Sequence, residues 1–186
     1  MKITLIRHAK VNMKWEKKYD SAGFNADEAR YDESPIFTDK GSRLESGGRP
    51  IYVSTLMRTH DTARLLFGED AELTETPLTR EVPVSAFIET KKKLPKNLWK
   101  AVGRTSWFLC LGSQPETRRD TRARAEKFLA ELEAKGEDAI VVAHEVFLYS
   151  MERVLKKHGY RITRENPFRI KNLEQITAEK EAEKDI

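Results

Sequence analysis

Arg7 and His8 stand side by side directly after a short apolar run, Ile3 to Ile6, and Arg58, Glu81 and His144 each follow a comparable run further along the chain. Two arginines suit a phosphoryl group, because each guanidinium offers a planar fork of donors that stays charged at any relevant pH. A neutral imidazole can attack phosphorus, and a second imidazole can donate to the equatorial oxygens where charge gathers in the transition state. A carboxyl group held nearby can protonate the departing oxygen and later deprotonate a water. An isolated Arg-His pair is a weak signal, since ordinary strand ends also carry polar residues. Together these side chains have the parts of phosphoryl transfer through a phosphohistidine, provided that the fold brings them to one place.

The elements that must do so are legible as alternating strand and helix signals. Ile3–Ile6 and Pro50–Val53 read as short strands, and Ala139–Ala143 is the unbroken apolar run of a strand buried on both faces of a parallel sheet. Leu73–Leu78 is a weaker strand, because it contains Glu75 and Pro77. Ser54 is expected to cap a helix over Thr55 to Phe67, stopped by Gly68. Pro115 to Lys135 is the clearest helix, with Ala125, Phe128, Leu129 and Leu132 on one face and Gly136 as its stop. Phe147 to His158 is an amphipathic helix closed by Gly159, and Phe168 to Ile176 is read as a last strand at the sheet edge. The charge run from Ala178 onward is read as a frayed, solvated tail.

This alternation predicts an α/β three-layer sandwich, a mostly parallel sheet with helices on both faces. Ligands in such sheets bind outside the carboxyl ends of the strands, so Arg7, His8, Arg58 and His144 are expected at one edge, with Glu81 beside them. Three stretches are harder to place. Residues 10–34 show no sustained period and read as a long loop or lid. A short helix is expected between Ser34 and Leu44, ended by Gly47-Gly48. Residues 84–112 read as a helical insertion, from the spacing of Leu94, Leu98 and Val102 with Pro95 near its start.

A length of 186 residues favours a single domain over the whole chain, with lid or insertion segments at about 10–34 and 84–112. The net charge of +4 comes from 34 basic residues interleaved with 30 acidic ones, which suits a small anionic ligand and does not point to nucleic acid. No stretch approaches the ~20 apolar residues of a membrane span. The single cysteine, Cys110, excludes an intrachain disulfide and fits a reducing cytoplasm. Neither a metal-ligand cluster nor a glycine-rich phosphate loop is present, so no metal and no cofactor is expected, and no pattern addresses the oligomeric state. His144-Glu145 would open a His-Glu-x-x-His zinc pattern, but Leu148 stands where its second histidine belongs. His60 reads as a surface or packing residue and His158 as a helix-end cation.

The stretch Leu5-Ile6-Arg7-His8 resembles the Arg-His-Gly signature of the histidine phosphatase superfamily, also called the phosphoglycerate mutase-like family. The likeness continues in order along the chain. Phe37-Thr38-Asp39-Lys40-Gly41 is similar to the family's Leu-Thr-x-x-Gly segment, and Ser54-Thr55-Leu56-Met57-Arg58 with Thr62-Ala63 to its Ser-x-Leu-x-Arg followed by Thr-Ala. Leu78-Thr79-Arg80-Glu81 resembles the stretch bearing its acidic residue, and Val141-Val142-Ala143-His144 the strand that delivers its second histidine. The resemblance implies a phosphoglycerate mutase-like fold, with His8 as nucleophile, phosphate binding by Arg7, Arg58 and His144, and Glu81 as general acid and base. Glu89, Asp20 and Glu33 are alternatives to Glu81, since Val82-Pro83 replaces the glycine-containing sequence that follows the family's acid.

Three further departures fall around the pocket. Ala9 replaces the glycine after the first histidine, Lys10-Val11 replaces Glu-Thr, and His144-Glu145-Val146 replaces His-Gly-Gly. Lys10 and Glu145 are therefore candidates for the substrate side. The Glu145 carboxylate would oppose a phosphate unless it turns away or pairs with Lys10 or an arginine. The implied activity is hydrolysis of a small phosphorylated substrate. The alternatives are a mutase-type return of the phosphoryl group to substrate and a phosphate-binding protein without turnover.

Overall fold

The computed structural model describes residues 1–181. Its first half contains β1 (Lys2–Arg7), β2 (Lys18–Tyr19), α1 (Ser21–Glu33), β3 (Ile51–Val53), α2 (Met57–Phe67), β4 (Leu73–Glu75) and a short 3-10 turn, Pro77–Thr79. The second half adds β5 (Leu94–Pro95), α3 (Lys96–Phe108), α4 (Arg118–Lys135), β6 (Ala139–Ala143), α5 (Glu145–Lys157), β7 (Arg161–Thr163) and β8 (Gln175–Glu179).

Six strands form one sheet in the order β4-β3-β6-β1-β8-β7. The four from β4 to β1 run parallel, while β8 is antiparallel to both of its neighbours. Side-chain alternation along the central strands builds the two cores. Ile3, Leu5, Ala139, Val141 and Ala143 point to the side covered by α4 and α5, where they meet Phe128, Leu129, Phe147 and Leu148. Ile6, Ile140, Val142, Ile51 and Val53 point to the other side and meet Ala63 and Leu66 of α2. This is the three-layer α/β sandwich that the alternating signals predict.

The caps explain where the helices begin and end. Thr117 and Asp120 form a reciprocal capping box at the start of α4, and Gly136 closes that helix in the left-handed conformation. Ser54 does not cap α2, which begins later, at Met57, with Leu56 in the cap position. Its hydroxyl is instead committed to a histidine, as described below. The run expected as one strand, Leu73 to Leu78, is a three-residue strand followed by the 3-10 turn, because Pro77 has no N–H to continue the ladder.

The segment 10–34 is not a loop, since half of it is α1. Asp20 caps that helix by accepting from the Gly23 N–H, but Phe24 is its only fully buried residue, so no apolar stripe announces it. The helix expected between Ser34 and Leu44 is absent; the chain there runs irregularly, with Ile36 bridging to Val11. Residues 84–112 do contain a helix, α3, but on a different face from the one expected. Leu94 pairs as strand β5 with β2, and Leu98 is exposed, whereas Trp99, Gly103, Ser106 and Trp107 are buried. Gly103 is required there: a Cβ would lie 2.9 Å from Val84 Cγ1. Trp99 stacks on Phe24 with ring centroids 5.5 Å apart, and Tyr19, Trp15 and Phe87 complete a small aromatic core. That core joins α1, α3 and the β2–β5 ribbon into a cap.

At the carboxyl-terminal end, Phe168 is 91% exposed and lies outside any strand. The edge is built by β7 and β8 instead, and β8 carries Ile176 and Ala178 into the core. The charge run expected to fray at Ala178 is thus strand through Glu179; residues 182–186 lie outside the described part.

Candidate active site

Each of the five candidate residues is placed by the end of a strand or the start of a helix. Arg7 closes β1 and His8 follows it; Arg58 is the second residue of α2; His144 joins β6 to α5; Glu81 follows the 3-10 turn after β4. Because β1, β3, β4 and β6 are parallel, these positions converge on one edge. Arg7, His8, Arg58, Glu81 and Glu145 line one cavity of about 700 Å³, roofed by Glu28, Tyr31 and Asp32 of α1 and by Lys100 and Arg104 of α3. His144 lies behind this wall, fully buried, with its ring centroid 5.1 Å from that of His8.

The hydrogen bonds fix which nitrogen of each imidazole carries the proton. His8 Nδ1 lies 2.6 Å from the carbonyl oxygen of Ala9, which only accepts, so Nδ1 is protonated and Nε2 keeps its lone pair. Burial first and then the Arg58 charge push the His8 pKa down to about 3, against a raising effect of the Ala9 bond that outweighs the small contribution of Arg7. His144 Nδ1 accepts from Arg58 Nε at 3.2 Å, and its Nε2–H donates to Ser54 Oγ at 2.7 Å. Burial and the neighbouring His8, Arg58 and Arg7 hold His144 well below the usual histidine range. Both rings are therefore neutral at neutral pH.

The two arginines are held differently. Arg58, 1% exposed, donates from Nη1 to Asp32 Oδ1 at 2.8 Å and lies over the ring of Tyr31, 5.0 Å from its centroid. Arg7 donates to the Ile170 carbonyl at 2.6 Å and pairs with Glu145 Oε2 at 2.9 Å. Glu145 thus pairs with an arginine, one of the two alternatives its position left open, and Arg169 lies 3.7 Å from its other oxygen. Glu81 Oε1 accepts from the backbone N–H of Val82 at 2.9 Å and of Phe147, in the first turn of α5, at 3.3 Å. The carboxyl group is anchored at a helix N-terminus with Oε2 left free of those bonds.

Lys10 lies outside this cavity, exposed, with its ammonium 5.4 Å from the Phe37 ring centroid. Asp20 caps α1, and neither Glu33 nor Glu89 lines the cavity. His60 joins strand ends, within 2.9 Å of the Ser54 carbonyl and 3.0 Å of Glu75. His158 sits at the cap position of α5 and pairs with Glu126 at 2.6 Å. The local sequence assigns no role in the site to three of its neighbours. Ser54 reads locally as a cap, while its partner His144 is 90 residues away. Asp32 lies in a helix without an apolar stripe, and Asn172, whose Nδ2 donates to the His8 carbonyl at 2.7 Å, comes from a turn near the other terminus.

Fold and cavity together define an α/β sandwich that gathers paired neutral imidazoles, the buried Arg58 guanidinium and the half-buried Arg7 outside the carboxyl ends of its parallel strands. The chain belongs to the histidine phosphatase superfamily, branch 1, whose family model matches residues 41–181. The match begins beyond the Arg7-His8 stretch and α1. Solved structures share the fold at low identity. A phosphoserine phosphatase from Entamoeba histolytica, a histidine-to-alanine mutant in complex with phosphoserine, aligns at TM-score 0.57 and 14% identity, covering 95% of this chain and 89% of its own. The α-ribazole phosphatase from Shigella flexneri aligns at 0.52 and 18%, covering 83% and 79%. A mycobacterial glucosyl-3-phosphoglycerate phosphatase aligns at 0.51 and 20%, covering 84% and 79%. No curated protein sequence matches the chain.

Proposed function

We propose that this protein hydrolyses a small phosphorylated substrate through a phosphohistidine formed on His8. The observation that carries this reading is the state of His8: a buried, neutral imidazole whose Nδ1–H is tied to Ala9 and whose Nε2 lone pair is free, beside a buried guanidinium. A neutral imidazole is the reactive form towards phosphorus. Arg58 and Arg7 neutralise the phosphoryl oxygens. His144 accepts from Arg58 Nε and donates its Nε2–H to Ser54 Oγ, so it holds the Arg58 guanidinium in place for that contact.

His8 Nε2 forms the bond to phosphorus as the ester oxygen departs with the bonding pair, and Glu81 supplies the proton that oxygen needs. Glu81, now a carboxylate, takes a proton from water; the water oxygen attacks the phosphohistidine, releasing orthophosphate and restoring His8. Phosphatase names among the structural neighbours accord with this class. The cavity, at about 700 Å³, accommodates a metabolite-sized leaving group. The test is turnover of a generic aryl phosphate by the purified protein. His8→Ala is expected to abolish it, and turnover that survives this substitution removes His8 from the mechanism.

A further inference from the structure

Arg58 is a fully buried cation, and its closest counter-charge comes from the cap and not from the sheet. Asp32, in the last turn of α1, places Oδ1 2.8 Å from Arg58 Nη1, while its Oδ2 lies 3.9 Å from Arg80 Nη2 on the cavity rim. The preceding residue, Tyr31, lies against the same guanidinium. Apart from Phe24, the rest of α1 is held by few deeply buried contacts. An anionic oxygen donated by the protein itself thus occupies a donor of Arg58 that faces the cavity, and the same contact ties down the end of the lid helix.

We propose that Asp32 is a built-in competitor for the phosphoryl group. Its carboxylate sits in the seat of a phosphoryl oxygen on Arg58, sets the affinity of the pocket, and latches α1 until an incoming anion displaces it. This rests on the reading of Arg58 as a phosphate ligand. The sign of the effect follows from what remains when the charge is removed. Arg58 keeps its bond to His144 Nδ1 and its contact with Tyr31, so its orientation survives, while the incoming dianion no longer meets a carboxylate. Were Asp32 needed chiefly to orient Arg58, its removal would weaken phosphate binding.

The test uses Asp32→Asn in the full-length protein, with Asp32→Ala as a second variant; the side chain is 38% exposed, so neither change disturbs a core. Titration calorimetry with orthophosphate is expected to show binding roughly tenfold tighter than wild type, the effect of one unit charge at contact distance near a partly exposed site. Hydrogen exchange of α1 amides, measured without ligand, is expected to speed up in both variants. With an aryl phosphate, KM is expected to fall while kcat holds. Unchanged or weaker orthophosphate binding overturns the competition, and so does a collapse of kcat, which would make Asp32 catalytic. Unchanged exchange over α1 overturns the latch, whatever the phosphate result. If wild type and variants all fail to bind orthophosphate, the phosphatase reading falls with the competition; binding to wild type without a gain in the variants removes the competition alone.

Discussion

His8 is a histidine kept neutral by its surroundings, and that state has a cost in stability that can be measured. An unfolded histidine titrates near 6.5 and the native one near 3, so between these values the unfolded chain binds the additional proton. Stability must therefore rise with pH across that window, and acid must erode it. At about pH 4.5 the unfolded imidazole is almost wholly protonated while the native one is not, and the linkage relation gives a loss of about 2.5 kcal/mol from His8 alone relative to pH 7. His144, lowered for the same reason of burial, acts in the same direction. The perturbation is His8→Asn, which removes the titrating group but keeps a small polar side chain. Urea unfolding at the two pH values should show wild type losing about 2.5 kcal/mol more than the variant on acidification. Carboxylates common to both proteins cancel in this difference. Equal losses in the two proteins would refute a depressed His8 and, with it, the reason for regarding its imidazole as permanently poised for attack.

Two further outcomes test other parts of the site. Glu81→Gln should lower kcat/KM, which reports transfer to His8, by roughly 10²–10⁴ for alkyl phosphates and much less for nitrophenyl phosphate, whose leaving group needs no proton; a loss of kcat/KM uniform across leaving groups would argue for a structural role at the start of α5. Phe24→Ala should destabilise the cap by about 3–5 kcal/mol, since the ring is fully buried and stacked on Trp99. The expected readout is faster amide exchange over α1 and α3 with the sheet unaffected, and a uniform change over the sheet would contradict a separately packed cap.

What could be read from the amino-acid order, and what could not, follows the range of the interactions. The run Ala139–Ala143 announces itself because β6 is buried on both faces, and α4 because a capping box and a left-handed glycine bracket an apolar stripe. The meeting of Arg7, His8, Arg58 and His144 at one edge is legible for a related reason: a parallel sheet sends every strand end to the same side. The cap is not. α1 buries one side chain fully, and α3 packs through Trp99, Gly103 and Trp107 in place of its leucine. Ser34 to Leu44 carries helix-like local signals, yet the pairing of Ile36 with Val11 holds it extended. At the other end, Ala178 gives almost no hydrophobic signal, but the ladder between β1 and β8 places it in the core. Asp32 illustrates the same limit within the site, since its partner Arg58 is 26 residues away on an element that nothing local connects to it.

The central claim is a covalent phosphoryl group on His8, and the most direct measurement is to trap it. Wild-type protein mixed with a radiolabelled phosphate ester, denatured within the first turnover in alkali and digested, should yield one labelled peptide containing His8, stable to base and labile to acid as a phosphoramidate is. His8→Ala should take up no label. Steady hydrolysis by the wild type with no label trapped at any time, or label carried by a peptide other than that of His8, would contradict the account.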